Sequence, residues 1–168
     1  RLSTGGNETV FNGRLDWVYQ EEVYGRGSFR AFWWSPDSKR LAYLSLDETK
    51  VPVFTLVDDR TQPQQLVRAR YPKAGDPNPI ARLGIVDLEG RTTWLEDPYA
   101  GRETLIVQVG WDPAGRLLAA HQDRVQSWLD LRRYEGSAST VLIREERKAW
   151  QERLPLPHFL PDGTFLWE

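Results

Sequence analysis

The chain has 168 residues, 40% hydrophobic and 27% charged. That is enough for one domain with a core, and no apolar run approaches the ~20 residues that span a bilayer. The formal net charge is −2, and the basic residues are scattered rather than striped, which excludes a polyanion-binding face and with it nucleic acid. There is no cysteine, so there is no disulfide, thiolate nucleophile or cysteine metal site, and no methionine. Arg1 opens the chain without a leader segment, as expected of a piece of a longer precursor.

In chain order, Asn7-Glu-Thr9 is a glycosylation sequon. Asn12-Gly13 between residues 9–11 and 15–19 predicts a two-residue hairpin. Residues 16–26 carry two adjacent carboxylates, Glu21 and Glu22, among aromatic neighbours, and Phe32-Trp33-Trp34-Ser35-Pro36-Asp37 reads as a strand entering a tight turn. Residues 51–57 alternate around Phe54. Residues 58–81 are rich in Gln, Pro, Asp and Gly and read as an insertion, of which 71–79 cannot be helix or interior strand. Residues 83–88 and 91–95, joined by Glu89-Gly90, read as a second hairpin. Four strands follow at 105–109, 117–120, 125–131 and 140–144. Residues 145–152 have a helix-like charge pattern but sit where a fourth strand and its exit belong, so they are read as strand and loop.

One motif recurs three times: Trp34-Ser-Pro-Asp-Ser38, Trp111-Asp-Pro-Ala-Gly115 and Phe159-Leu-Pro-Asp-Gly163, each followed by an apolar strand. The aromatic should end one strand in the core, proline presets φ for the turn, and Asp, Gly or Ser completes it. The second and third copies lie 48 positions apart, near one four-stranded propeller blade. The first and second lie 77 apart, the excess falling in the insertion. The eight tryptophans fit an architecture that repeats aromatics blade by blade. The expected fold is all-β: a partial β-propeller of about two to three four-stranded antiparallel blades, preceded by a hairpin from an earlier blade and followed by the start of another. Such a piece cannot close a ring and exposes strand edges through which it can self-associate.

Glu21 and Glu22 would face opposite ways on a flat strand. They converge on one ligand only if residues 20–25 leave the strand path as a helical turn or bulge, which Gly25 and Gly27 permit. Two carboxylates around one ammonium make charge-assisted hydrogen bonds and would reject an acylated amine. On the alternative reading they are surface residues paired with Arg26 or Arg30. No serine lies in Gly-x-Ser-x-Gly. His121 and His158 have no triad setting, and two distant histidines without cysteine make no metal site.

Together, residues 16–26, Trp33-Trp34-Ser35-Pro36, Leu41-Ala-Tyr43 with Asp47 through Pro52, and the Tyr71-Pro-Lys-Ala-Gly75 loop resemble the dipeptidyl peptidase IV family of the prolyl oligopeptidase group, along essentially the whole chain. The resemblance implies a fragment, residues 1–168, of that family's N-terminal β-propeller, part of an eight-bladed ring. It implies that Glu21 and Glu22 anchor the free amine of a peptide, and that a serine-type parent releases Xaa-Pro or Xaa-Ala dipeptides. The Ser–Asp–His triad would lie on an α/β-hydrolase domain absent from this chain, so the fragment alone would not be catalytic. Arg153 is a candidate substrate-side arginine, or else a surface arginine. Gln20 stands where some relatives carry a third acid. No cofactor or metal is implied. The implied partners are peptide N-termini and the parent's other blades and hydrolase domain, and the implied setting is periplasmic, extracellular or membrane-anchored. The competing reading is a non-catalytic propeller that binds peptides or proteins; a bare scaffold without a peptide site is the third.

Overall fold

The computed structural model describes residues 2–167. Thirteen strands are described: β1 (Val10–Asn12), β2 (Phe32–Trp34), β3 (Arg40–Asp47), β4 (Val53–Asp58), β5 (Gln65–Arg70), β6 (Ile80–Asp87), β7 (Thr92–Trp94), β8 (Thr104–Trp111), β9 (Leu117–Asp123), β10 (Trp128–Glu135), β11 (Ala138–Glu146), β12 (His158–Phe159) and β13 (Phe165–Leu166). They form two antiparallel sheets of blade type and two hairpins. The first sheet runs β2-β3-β6-β7, with β1 also on β3, and the second runs β8-β9-β10-β11. β12 and β13 make the hairpin that opens a third unit, and β4 and β5 make the other hairpin. The all-β, two-to-three-blade reading of the sequence holds.

The sheets form where sequence alternation ends in continuous burial. The inner positions of β3 (Ala42 to Leu46) and of β9 (Leu117 to Gln122) are buried on both faces, as central strands between packed neighbours should be. Leu44, Leu46 and Leu83 from the first sheet share one cluster with Ile106, Val109, Ala119 and Leu129 from the second. The repeat motifs stitch the sheets together at one end. Trp111 Nε1 donates to the Trp33 carbonyl at 3.0 Å, and Arg40 donates to the Gly115 carbonyl at 2.9 Å while lying over the Trp111 ring. The three turns share one geometry. The left-handed position is Ser38 (φ 58°), Gly115 (φ 75°) and Gly163 (φ 86°). Each N–H bonds the carbonyl three residues back: Ser35, Asp112 and Leu160.

Three expectations are corrected, and one strand is added. Asn12-Gly13 does not close a hairpin with residues 15–19. β1 pairs with β3, Val10 opposite Asp47, and so belongs to the first blade rather than an earlier one. Gly13 (φ 72°) instead turns the chain out of the sheet. The motif aromatic does not end its strand in the core in the first copy: Trp34 is 49% exposed, and Trp33 packs inward, because adjacent strand residues face opposite ways. The insertion contains a strand, β5, paired along β4 from Val53↔Arg70 to Asp58↔Gln65. That hairpin is exposed along nearly its whole length, so β5 lacks the apolar face that would mark it in sequence. Val125 precedes the third strand of the second blade, which starts at Trp128.

Candidate functional site

The site grows from an interruption in one strand position. β1 and β2 both pair with β3, and the hand-over occurs opposite Leu44: Gly13 N–H donates to the Leu44 carbonyl, and Leu44 N–H donates to Ala31. Residues 13–31 are thus extruded from the sheet. An Arg14–Arg30 bridge and a Leu15-to-Phe29 backbone bond close the neck.

Within this excursion the chain makes a helical turn. Asp16 starts it, its buried carboxylate accepting from the Val18 and Tyr19 N–H groups at 3.0 and 3.1 Å, as a cap should. Burial raises the Asp16 pKa, against these backbone bonds. Residues Tyr19–Val23 then widen into a π-turn, Tyr24 N–H bonding the Tyr19 carbonyl five residues back at 2.8 Å. The wide turn places Tyr19 and Tyr24 on one side, rings stacked at 6.3 Å. Both hydroxyls grip Ile106 of β8: Tyr19 accepts from its N–H at 3.3 Å and Tyr24 donates to its carbonyl at 3.2 Å. Burial pushes both phenols far above their ordinary pKa. Gln20 is buried, and its side-chain oxygen accepts from Gly27 N–H at 2.9 Å, pinning the return of the loop.

The tyrosine grip leaves the two acids on the other side. Neighbours on a helical turn diverge by ~100° rather than the ~180° of a strand, so Glu21 and Glu22 need not point to opposite faces. They have different surroundings. Glu21, its side chain 17% exposed, pairs with Arg26, whose Nε lies 2.7 Å from its Oε1. Glu22 is exposed and lines an open cleft of about 640 Å³.

Trp17, Val18, Glu22 and Val23 form one wall of the cleft, the 71–74 loop with Asn78 another, and Leu105, Arg124, Gln126, Trp150, Glu152 and Arg153 the rest. The loop is tied in from both sides. Tyr71 packs on Trp17 with ring centroids 4.3 Å apart, and Arg124 donates to the Asp76 carbonyl at 2.6 Å. Arg153 lies over the Tyr24 ring at 5.6 Å, beside the turn that carries the acids. The structure therefore brings Glu22 and Arg153 into one cleft and turns Glu21 toward Arg26.

Sequence reasoning missed the rest of the lining. Tyr71 and Lys73 stood in the recognised loop without an assigned role. Arg124, Gln126 and Trp150 carry no local signal, since turns and irregular chain bring them in. The two histidines lie elsewhere. His121 is 2% exposed, its Nε2 3.0 Å from the Tyr134 hydroxyl, and burial followed by Arg132 pushes its pKa down to about 3. His158 pairs in the β12–β13 hairpin. Among the described residues no group of three or more His, Asp or Glu side chains could hold a metal ion.

The family model for the dipeptidyl peptidase IV (DPP IV) N-terminal region matches residues 1–168. The chain belongs to the dipeptidyl peptidase IV family. It is 34% identical over 161 residues to the venom dipeptidyl peptidase 4 of Apis mellifera, covering 88% of this chain and 20% of that protein. It is 38% identical over 183 residues to the inactive dipeptidyl peptidase 10 of Rattus norvegicus, covering 98% of this chain and 22% of that one. Among solved structures, Porphyromonas gingivalis dipeptidyl peptidase 4 superposes with a TM-score of 0.81 at 22% identity, over 95% of this chain and 23% of that one. The chain thus spans about a fifth of the length of these relatives and corresponds to the family's propeller region.

Proposed function

We propose that this chain is the part of a propeller that receives the free N-terminus of a peptide, in a longer serine exopeptidase that releases Xaa-Pro or Xaa-Ala dipeptides. On this reading Glu22, seconded by Glu21, takes the α-ammonium. Arg153 stands on the substrate side of the same cleft. Bond cleavage belongs to an α/β-hydrolase domain elsewhere in the full-length protein.

One observation carries the reading. A helical excursion, capped by Asp16 and gripped by Tyr19 and Tyr24, presents Glu22 to a cleft that Arg153 also lines. Carboxylates held this way bind a charged amine and give an acylated one no partner. Blocking the anchor by acetylation also removes the charge that fixes depth of entry, which is how such a site would count two residues from the end. The test uses the full-length protein and chromogenic Ala-Pro conjugates, free and N-acetylated. Cleavage of the free form alone, with Glu22→Ala raising KM by roughly tenfold or more and Glu21→Ala by less, is the expected result. Equal cleavage of both forms would remove the ammonium anchor from consideration.

A second reading rests on the comparison with the relative named inactive dipeptidyl peptidase 10, which is 38% identical over this same region. A propeller segment of this kind accompanies a protein so named, so the full-length protein can be a non-catalytic peptide binder. A folded protein that binds the free-amine peptide without turning it over favours that reading.

A further inference from the structure

Two buried glutamines behind the cleft, Gln122 and Gln151, meet a third, Gln126, that lines it. Gln122 of β9 and Gln151 are fully buried. The Gln122 side-chain amide donates to the Gln151 carbonyl. The Gln151 N–H donates to the Gln126 carbonyl at 2.7 Å, and the Gln126 amide closes a longer 3.4 Å contact on the Gln122 oxygen. Gln151 also donates from its side chain to the Glu152 carbonyl at 3.0 Å. Gln126 holds a left-handed backbone, φ 58°, which non-glycine residues rarely adopt.

Buried amides are costlier than apolar side chains of the same volume unless each finds a partner. Here the side-chain N–H groups of Gln122 and Gln151 find the backbone of residues 151 and 152, a stretch with no ladder of its own, and of these side chains the oxygen of Gln151 alone is left without a partner among the described residues. That stretch carries Trp150, Glu152 and Arg153 into the cleft, and Gln126 lines the cleft itself. Without the clamp, nothing regular fixes where Arg153 leaves the backbone, and its seat over Tyr24 depends on that point.

We propose that Gln122 is a positioning residue for the peptide cleft: it holds residues 150–153 against the β9–β10 turn so that Arg153 stacks on Tyr24 and closes the wall beside Glu22. The proposal rests on the amine-anchor reading of the cleft. Gln122 acts through Arg153 and touches no substrate. Leucine at 122 fills similar volume but leaves the Gln151 carbonyl without its donor, so it opens the clamp without emptying the core.

The experiment is a double-mutant cycle in the full-length protein with Gln122→Leu and Arg153→Ala. It measures kcat, KM and, by calorimetry, the Kd of a free-amine Ala-Pro peptide, with amide hydrogen exchange over residues 150–153. Gln122→Leu is expected to weaken binding roughly five- to tenfold with kcat within about twofold, and to speed exchange in 150–153. In the Arg153→Ala background it should add nothing. Full additivity with Arg153→Ala overturns the positioning role and leaves the amine anchor standing. Faster exchange without weaker binding also overturns it, since the clamp is then structural alone. Indifference of the wild type to N-acetylation overturns the amine anchor separately, and absence of peptide binding by the wild type overturns both.

Discussion

Ser38, Gly115 and Gly163 occupy the same left-handed position in three copies of one turn, and only the first carries a side chain there. A Cβ in that region crowds the following carbonyl, while glycine enters it without penalty. Ser38→Gly should therefore stabilise the protein by about 0.5 kcal/mol, the relief of strain being partly offset by the greater freedom of glycine in the unfolded chain. Gly115→Ala should cost about 1 kcal/mol, because a Cβ is forced into the left-handed region at φ 75°. Denaturant midpoints of the two variants test the pair, and a destabilised Ser38→Gly contradicts the account. These turns were legible because their chemistry is local: proline, Asp and Gly at fixed offsets specify the bend without help from the rest of the fold. The side of the strand on which Trp33 or Trp34 lies was not legible, because two identical residues in succession carry no alternation and only the neighbouring sheet decides.

At the scale of elements the same contrast holds. The helical excursion was anticipated as a condition for Glu21 and Glu22 to share a ligand, but its cause was not. Asp16 could be read as a cap, whereas the grip of Tyr19 and Tyr24 on Ile106 joins residues more than 80 positions apart. The Asn12-Gly13 hairpin failed for that reason too, since the true partner of β1 is β3, beyond the whole excursion. β9 illustrates what long-range packing does to a side chain. His121, between Tyr99 and Tyr134, is held neutral, with its pKa down to about 3 through burial and then the nearby Arg132. In the unfolded chain it protonates near its ordinary value of ~6.5. A depressed folded pKa means that the folded state refuses a proton the unfolded state takes. The stability His121 lends is therefore complete above pH ~6.5 and is lost as pH falls toward 3, on the order of 5 kcal/mol in all. Wild-type full-length protein should lose thermal stability relative to a His121→Gln variant as pH drops from 6.5 to 4. A gap that stays constant over that range shows that His121 does not titrate this way.

The described residues make two blades and a fragment of a third, and propeller blades are stable by covering each other's faces. Here the two sheets cover one face each, joined by Trp111 to Trp33 and Arg40 to Gly115. What lies beyond them is open. Trp34, Phe29 and Val141 are each more than 40% exposed, and the β4–β5 hairpin presents Val53, Leu56, Val57, Leu66 and Val67 at half exposure or more. Unpaired strand edges and large apolar patches of this kind drive association between chains. We propose that the 168-residue chain, produced by itself, self-associates in a concentration-dependent way, because it lacks the blades that would cover those surfaces. Light scattering across a dilution series should show a mass above the 19.5 kDa of one chain at micromolar concentration, falling toward it on dilution. A constant 19.5 kDa at every concentration would mean that the two-blade unit satisfies its own edges. The cleft would then be open to direct study in the isolated chain, since a monomer that folds alone keeps Glu22, Arg153 and the Gln122–Gln151 bond within itself.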